Sequence, residues 1–127
     1  MFWNYKIALK SYHGKYVVAE SNGVVNANRA QRQAWETFSV EELGNNKVAL
    51  RSVHGKYLCA ENGGGYAINA NRDRRNAWEE FTVEVKQGGR IAFKTAHGRY
   101  MVAESNGRLR ADRSVAREWE TFLPECI

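Results

Sequence analysis

His-Gly-Lys-Tyr stands at residues 13–16, stands again at 54–57, and returns as His-Gly-Arg-Tyr at 97–100. A period of roughly forty residues is the first thing to test, because repeat architectures fix the whole fold. The match runs outward from the tetrapeptide in both directions. Upstream lie Ile7-Ala8-Leu9-Lys10-Ser11, Val48-Ala49-Leu50-Arg51-Ser52 and Ile91-Ala92-Phe93-Lys94-Thr95. Downstream come Ala19-Glu20, Ala60-Glu61 and Ala103-Glu104, then Ala27-Asn28-Arg29, Ala70-Asn71-Arg72 and Ala111-Asp112-Arg113. Each unit closes on a tryptophan, an acid and a phenylalanine: Trp35-Glu36-Thr37-Phe38, Trp78-Glu79-Glu80-Phe81 and Trp119-Glu120-Thr121-Phe122. Arg and Trp are six residues apart in every copy. The one irregularity is two extra residues in the second copy, within Asn62-Gly63-Gly64-Gly65, a turn segment where insertion costs little.

Within a copy, short stretches of alternating polarity are separated by turn residues, which is the signature of strands. Ile7 and Leu9 share a face in the first strand, as do Val48 and Leu50, then Ile91 and Phe93. His-Gly supplies the first turn, where glycine takes positive φ without a clash. A strongly apolar second strand runs from Tyr16 to Ala19, and Asn22-Gly23 and Asn106-Gly107 are hairpin signals. In the third strand Val25 and Ala27 point inward and Asn26 and Asn28 outward, a pattern repeated by Ile68 and Ala70, then Leu109 and Ala111. The fourth strand begins at Phe38 and passes through Val40; its second copy runs from Phe81 through Val83 and Val85. The segment from Arg29 to Trp35 has room for one helical turn. Three such units predict an all-β fold of twelve strands, a β-trefoil in which closure removes exposed strand edges. The domain is expected to span residues 1–127, with repeats at about 5–46, 47–89 and 90–127.

The chain of 127 residues contains no apolar run long enough to span a membrane. No leader pattern precedes the first repeat, so the expectation is an intracellular protein, a processed chain or a module of a larger one. Cys59 occupies the strand position of Val18 and Val102 and reads as a small core residue, with Cys126 near the C-terminus; two cysteines make no disulfide framework. The formal charge is +5, with arginines crowded between the third and fourth strands of each copy. Such a surface either keeps the protein soluble or meets an anionic partner such as nucleic acid, an acidic glycan or actin.

The repeated tryptophans carry the functional argument. Phe38 opens the inward face of its strand, so Trp35, an odd number of residues earlier, faces solvent or lies in the loop. Trp78 and Trp119 follow the same rule. One reading makes each indole a packing lid over its own hairpin; the other makes it a stacking platform for the C–H face of a sugar ring. Polar partners for sugar hydroxyls repeat beside it: Glu20, Glu61 and Glu104 after the second strand, Asn28, Asn71 and Asp112 on the third, and Arg29, Arg72 and Arg113 directly following. Structural alternatives are a Glu–Arg salt bridge and a turn-forming Asn. His13, His54 and His97 read as turn residues, with no second ligand at metal spacing inside a copy. No nucleophile stands beside a base, so the expectation is a binding protein without catalysis, metal or cofactor.

The string Gly55-Lys56-Tyr57-Leu58-Cys59-Ala60-Glu61-Asn62-Gly63-Gly64-Gly65, with Ala70-Asn71-Arg72 and Trp78-Glu79-Glu80-Phe81, resembles the fascin-like β-trefoil repeats attached to bacterial polysaccharide-degrading enzymes. These are similar to the β-glucan-binding modules of carbohydrate-binding module family 92, and the resemblance covers the whole chain. It implies three glucan sites, one per repeat, pairing Trp35 with Glu20, Trp78 with Glu61 and Trp119 with Glu104. It leaves Glu36, Glu79 and Glu120 as rival acids. It also implies a glycoside hydrolase as a possible neighbour in a parent protein, and a secreted location in that case, against the cytoplasm for a stand-alone chain. The chain also resembles, more distantly, the actin-binding trefoils of fascin and hisactophilin, which makes actin the alternative partner. It has one trefoil where fascin-like bundlers carry several, and three histidines where hisactophilin has many.

Overall fold

The computed structural model describes residues 6–127; Tyr5, the expected start of the first repeat, and the four residues before it lie outside the described residues. The twelve expected strands are all present: β1 (Lys6–Ser11), β2 (Tyr16–Ala19), β3 (Val25–Arg29), β4 (Phe38–Gly44), β5 (Lys47–Ser52), β6 (Tyr57–Ala60), β7 (Ile68–Arg72), β8 (Phe81–Val85), β9 (Ile91–Lys94), β10 (Tyr100–Ala103), β11 (Leu109–Arg113) and β12 (Phe122–Cys126). Among the described residues there is no α-helix, only short 3₁₀ turns.

Six strands pair in a closed antiparallel ring: β1 with β4, β4 with β5, β5 with β8, β8 with β9, β9 with β12, and β12 with β1. A ring leaves no open sheet edge for another chain to join. The other six form the hairpins β2–β3, β6–β7 and β10–β11. These hairpins also hold one another. The Ala27 N–H donates to the Gly107 carbonyl (2.8 Å), Ala70 to Gly23 (2.8 Å) and Ala111 to Tyr66 (2.9 Å).

Alternation decides the core. Ile7, Leu9, Val48, Leu50, Ile91 and Phe93 from the ring share one buried cluster with Val25, Ala27, Ile68, Ala70, Leu109 and Ala111 from the hairpins. Phe38, Phe81, Phe93 and Phe122 are its largest members, and Phe93 touches Phe81 and Phe122 with ring centroids 6.3 and 6.0 Å away. The alternation fails at the end of β8, where Val85 is 83% exposed although it still pairs with Ile91; the matching position of the first repeat holds the exposed Glu42.

A bulge recurs in each hairpin. Tyr16 pairs with Arg29 but Val17 pairs with Ala27, and Tyr57 pairs with Arg72 but Leu58 with Ala70. Asn28 and Asn71 are the extra residues. In a regular strand neighbouring side chains point to opposite faces; the bulge re-aims one of them. Asn28 can therefore meet Arg29, and Asn71 meet Arg72, on the same side.

Cys59 is fully buried and Cys126 exposed, and both are free thiols. Burial, reinforced by the Glu79 carboxylate, pushes the Cys59 thiol far above its ordinary range. Since the thiolate is the reactive form, a thiol-specific reagent at neutral pH is expected to label one cysteine per native chain, and the second only in denaturant. Rapid labelling of both in the native state would contradict the burial of Cys59.

Candidate functional site

Each of the three repeated tryptophans is the middle residue of a 3₁₀ turn that enters a barrel strand: Ala34–Glu36, Ala77–Glu79 and Glu118–Glu120. The acid that ends the turn is buried, between 2% and 5% exposed, and folds back on the turn's entry. Glu36 accepts the Gln33 N–H at 2.7 Å, Glu79 that of Asn76 at 2.6 Å, and Glu120 that of Arg117 at 2.6 Å. A charge-assisted bond of this kind is stronger than a neutral one. Of the two repeated acids, then, Glu36, Glu79 and Glu120 hold the tryptophan-bearing turn in place and are closed to solvent.

The other acids lie at the rim. Arg29 donates to Glu20 at 2.6 Å and, with its second terminal nitrogen, to Asn28 at 2.7 Å. Arg72 does the same with Glu61 (2.8 Å) and Asn71 (2.6 Å), and Arg113 with Glu104 (3.1 Å) and Asp112 (2.6 Å). The salt bridge considered from sequence therefore forms in every copy, and it brings all nine repeated polar residues into three matching sets. Burial pulls the Arg113 guanidinium down, but Glu104, Asp112 and Glu120 more than reverse this and leave it above its usual value. At Arg72 burial is likewise outweighed, by Cys59, Glu61 and Glu79. These arginines are permanently charged and locked in position.

Tryptophan and arginine share a wall. Arg72, Arg74, Asn76 and Trp78 line one open hollow of ≈ 550 Å³, and Arg113, Arg117 and Trp119 line another of ≈ 370 Å³. Trp35 and Trp119 are 40% and 39% exposed and Trp78 is half-buried. The covered part of the indole meets a histidine of the next repeat: Trp35 lies edge-on to His54 (centroids 5.1 Å apart, 72°) and Trp119 to His13 (4.8 Å, 70°). Nε2 of His54 bonds the Ala19 carbonyl at 3.1 Å, and that of His13 bonds the Ala103 carbonyl at 3.0 Å, so that nitrogen carries the proton. Trp35 and Trp119 are thus each backed by a residue handed across from the neighbouring repeat.

The junction between the second and third repeats differs. There the two-residue insertion packs on the neighbour: the His97 N–H donates to the Gly63 carbonyl at 2.9 Å, and a Cβ on Gly63 would lie 2.7 Å from the His97 ring. Gly64 has φ +127°, and a Cβ there would approach the Thr95 hydroxyl at 2.6 Å. Gly64→Ala is expected to destabilise the fold by about 1–3 kcal/mol through backbone strain and this clash. A urea midpoint unchanged from the parent would show that the loop simply moves aside.

The model of a family described as "Domain of unknown function (DUF7910)" matches residues 1–121. The chain belongs to the DUF7910 family. A comparison with curated proteins finds no match.

Sequence reasoning about this DUF7910 domain assigned the histidines to turns and missed their reach into the neighbouring repeat. It also missed a clasp between repeats. The Tyr16 hydroxyl donates to Glu125 at 2.9 Å, Tyr57 to Glu41 at 2.7 Å and Tyr100 to Glu84 at 2.9 Å. The signal was present in the sequence, since these acids stand three residues after Phe122, Phe38 and Phe81 respectively. A cation completes each clasp. Arg32 reaches Glu125 (2.7 Å) and Arg75 reaches Glu41 (2.8 Å), but in the third clasp the cation on Glu84 is Lys86 (3.2 Å). Among the described residues of this DUF7910 domain, no helix is long and apolar enough to cross a membrane.

Proposed function

We propose that the chain is a β-trefoil carbohydrate-binding module, non-catalytic and potentially trivalent, that binds β-glucan with one site per repeat. The observation that carries this reading is the threefold recurrence of a half-covered tryptophan and a fixed Glu–Arg–Asn or Glu–Arg–Asp set, with the arginine of the set sharing a hollow with Trp78 and Trp119. A pyranose ring presents C–H groups that suit an indole face, while its hydroxyls need placed donors and acceptors at the edge. Glu20, Glu61 and Glu104 accept hydroxyl protons; Arg29, Arg72, Arg113, Asn28 and Asn71 donate. Asp112 is acceptor-only, which distinguishes the third site from the other two. Because the polar side chains already hold one another, sugar binding freezes few additional rotamers.

Each site is shallow and open, so single-site affinity is weak. A long or branched glucan engages several sites of one rigid barrel and gains by effective concentration. Five of the arginines that make the surface basic are ion-paired with carboxylates, namely Arg29, Arg32, Arg72, Arg75 and Arg113. This favours a neutral polymer over an anionic one such as actin or nucleic acid.

The test is pull-down on insoluble β-1,3-, β-1,6- and mixed-linkage glucans at low and high salt, with filamentous actin in parallel. Retention on a glucan that survives high salt is the expected result, because stacking on a neutral ring is nearly insensitive to ions. Retention on actin alone, lost as salt rises, would overturn the reading and move the site to the arginines.

A further inference from the structure

The third repeat departs from the other two at one residue with a clear spatial consequence. Three residues after the repeated arginine stand Arg32 in the first copy, Arg75 in the second and Ala116 in the third. Arg32 and Arg75 span the gap to the clasp carboxylates Glu125 and Glu41. Ala116 cannot, and Lys86 has taken over the ion pair with Glu84. The volume an arginine fills elsewhere is left as an open hollow of ≈ 470 Å³ bounded by Tyr12, Lys86, Arg90, Ala116, Arg117 and Glu118.

Arg90 is the unusual member of this wall. Its guanidinium lies over the Tyr12 ring, 5.5 Å from the centroid, and its Nη1 is buried with no hydrogen-bond partner. Buried donors are nearly always satisfied, and an exception calls for an explanation. Among the described residues neither Arg90 nor Arg117 has an ion pair; Glu118 is the opposing charge in the wall, and the Thr121 hydroxyl donates to the Glu118 carbonyl. With Lys86 paired to Glu84, Arg90 and Arg117 still outnumber Glu118, the one acid in the wall. A guanidinium over an aromatic ring keeps N–H donors at its edge, which suit a carboxylate.

The geometry points to this hollow as a fourth subsite, one per molecule, for the carboxylate of an acidic sugar. Tyr12 and Ala116 supply an apolar wall for the ring and Arg90 with Arg117 bind the carboxylate. The choice of a sugar rests on the glycan-binding reading above. It also rests on position, since Arg117 and Glu118 line both this hollow and the Trp119 hollow, so that adjacent residues of one chain can occupy the two.

The probe is sodium D-glucuronate, titrated into the isotopically labelled protein by NMR, with D-glucose and sodium sulfate as references. Glucuronate is expected to bind about tenfold more tightly than either reference and to shift the amides of Tyr12, Gln87 and Thr121. Ala116→Arg restores the residue type of the other two repeats and fills the hollow; Arg90→Gln keeps shape and removes charge. Each is expected to weaken glucuronate about tenfold or more while leaving glucan pull-down unchanged. Glucuronate binding no tighter than glucose or sulfate, shifts that map elsewhere, or full binding in either variant would overturn the subsite. Glucan pull-down reports on the tryptophan sites separately, so the two readings fail independently.

Discussion

Replacing Trp35, Trp78 and Trp119 together by alanine is expected to abolish retention on β-glucan while leaving a folded barrel. The argument for folding is that the indoles sit on the rim. Each makes an edge contact with a histidine or lines an open hollow, and such a contact is worth about 0.5–1.5 kcal/mol. None of the three belongs to the buried cluster built on the four phenylalanines. The argument for lost binding is that alanine removes the aromatic face that shares a hollow with Arg72 and with Arg113. Single replacements should act additively, with Trp78→Ala removing about a third of the capacity if the sites are independent. Circular dichroism and pull-down on the same samples decide the matter. Unfolding of a single variant would mean that the tryptophans are packing lids, and a folded triple variant that still binds would move the site elsewhere.

Phe93→Ala is expected to have the largest effect on stability, about 3–5 kcal/mol, the usual cost of emptying a buried aromatic site. Phe93 is fully buried on β9 and bridges Phe81 of β8 and Phe122 of β12, so the cavity opens between strands that close the ring. Against a total stability of roughly 5–15 kcal/mol this is a large fraction. The urea midpoint should fall sharply, and glucan capacity should drop in all three sites together as the folded fraction drops. A loss under about 1 kcal/mol would mean that the neighbouring rings collapse into the space.

Much of this was legible in the sequence because a threefold repeat reports each position three times. The alternation of Val25, Asn26 and Ala27 foretold which side chains enter the core, and the odd spacing from Trp35 to Phe38 foretold an indole outside it. Less legible was what one copy does to the next. His13 reads as a turn residue because its neighbour is glycine, yet its ring bonds a carbonyl ninety positions away. The choice between Glu20 and Glu36 was open in the sequence, since both repeat. Burial separates them, because only Glu36 is enclosed with a backbone donor to hold. The side-by-side placement of Asn28 and Arg29 also eluded strand logic, which puts neighbours on opposite faces; a bulge overrides it. Ala116 looked unremarkable until its counterparts Arg32 and Arg75 were seen spanning a gap.

The histidine handed from each repeat to its neighbour has a consequence for how such a molecule can be assembled. The joint between copies is head-to-tail and joins two different surfaces, and a joint of that kind either propagates without end or closes when the rotation allows. Here it closes after three copies. A lone first repeat would carry Trp35 with no His54 to meet it, and a lone third repeat Trp119 with no His13, so these indole–histidine contacts are properties of the ring and belong to no single copy. Three separate chains of one repeat each would have to form a cyclic trimer before any such contact could form. Covalent linkage of the copies removes that dependence on concentration.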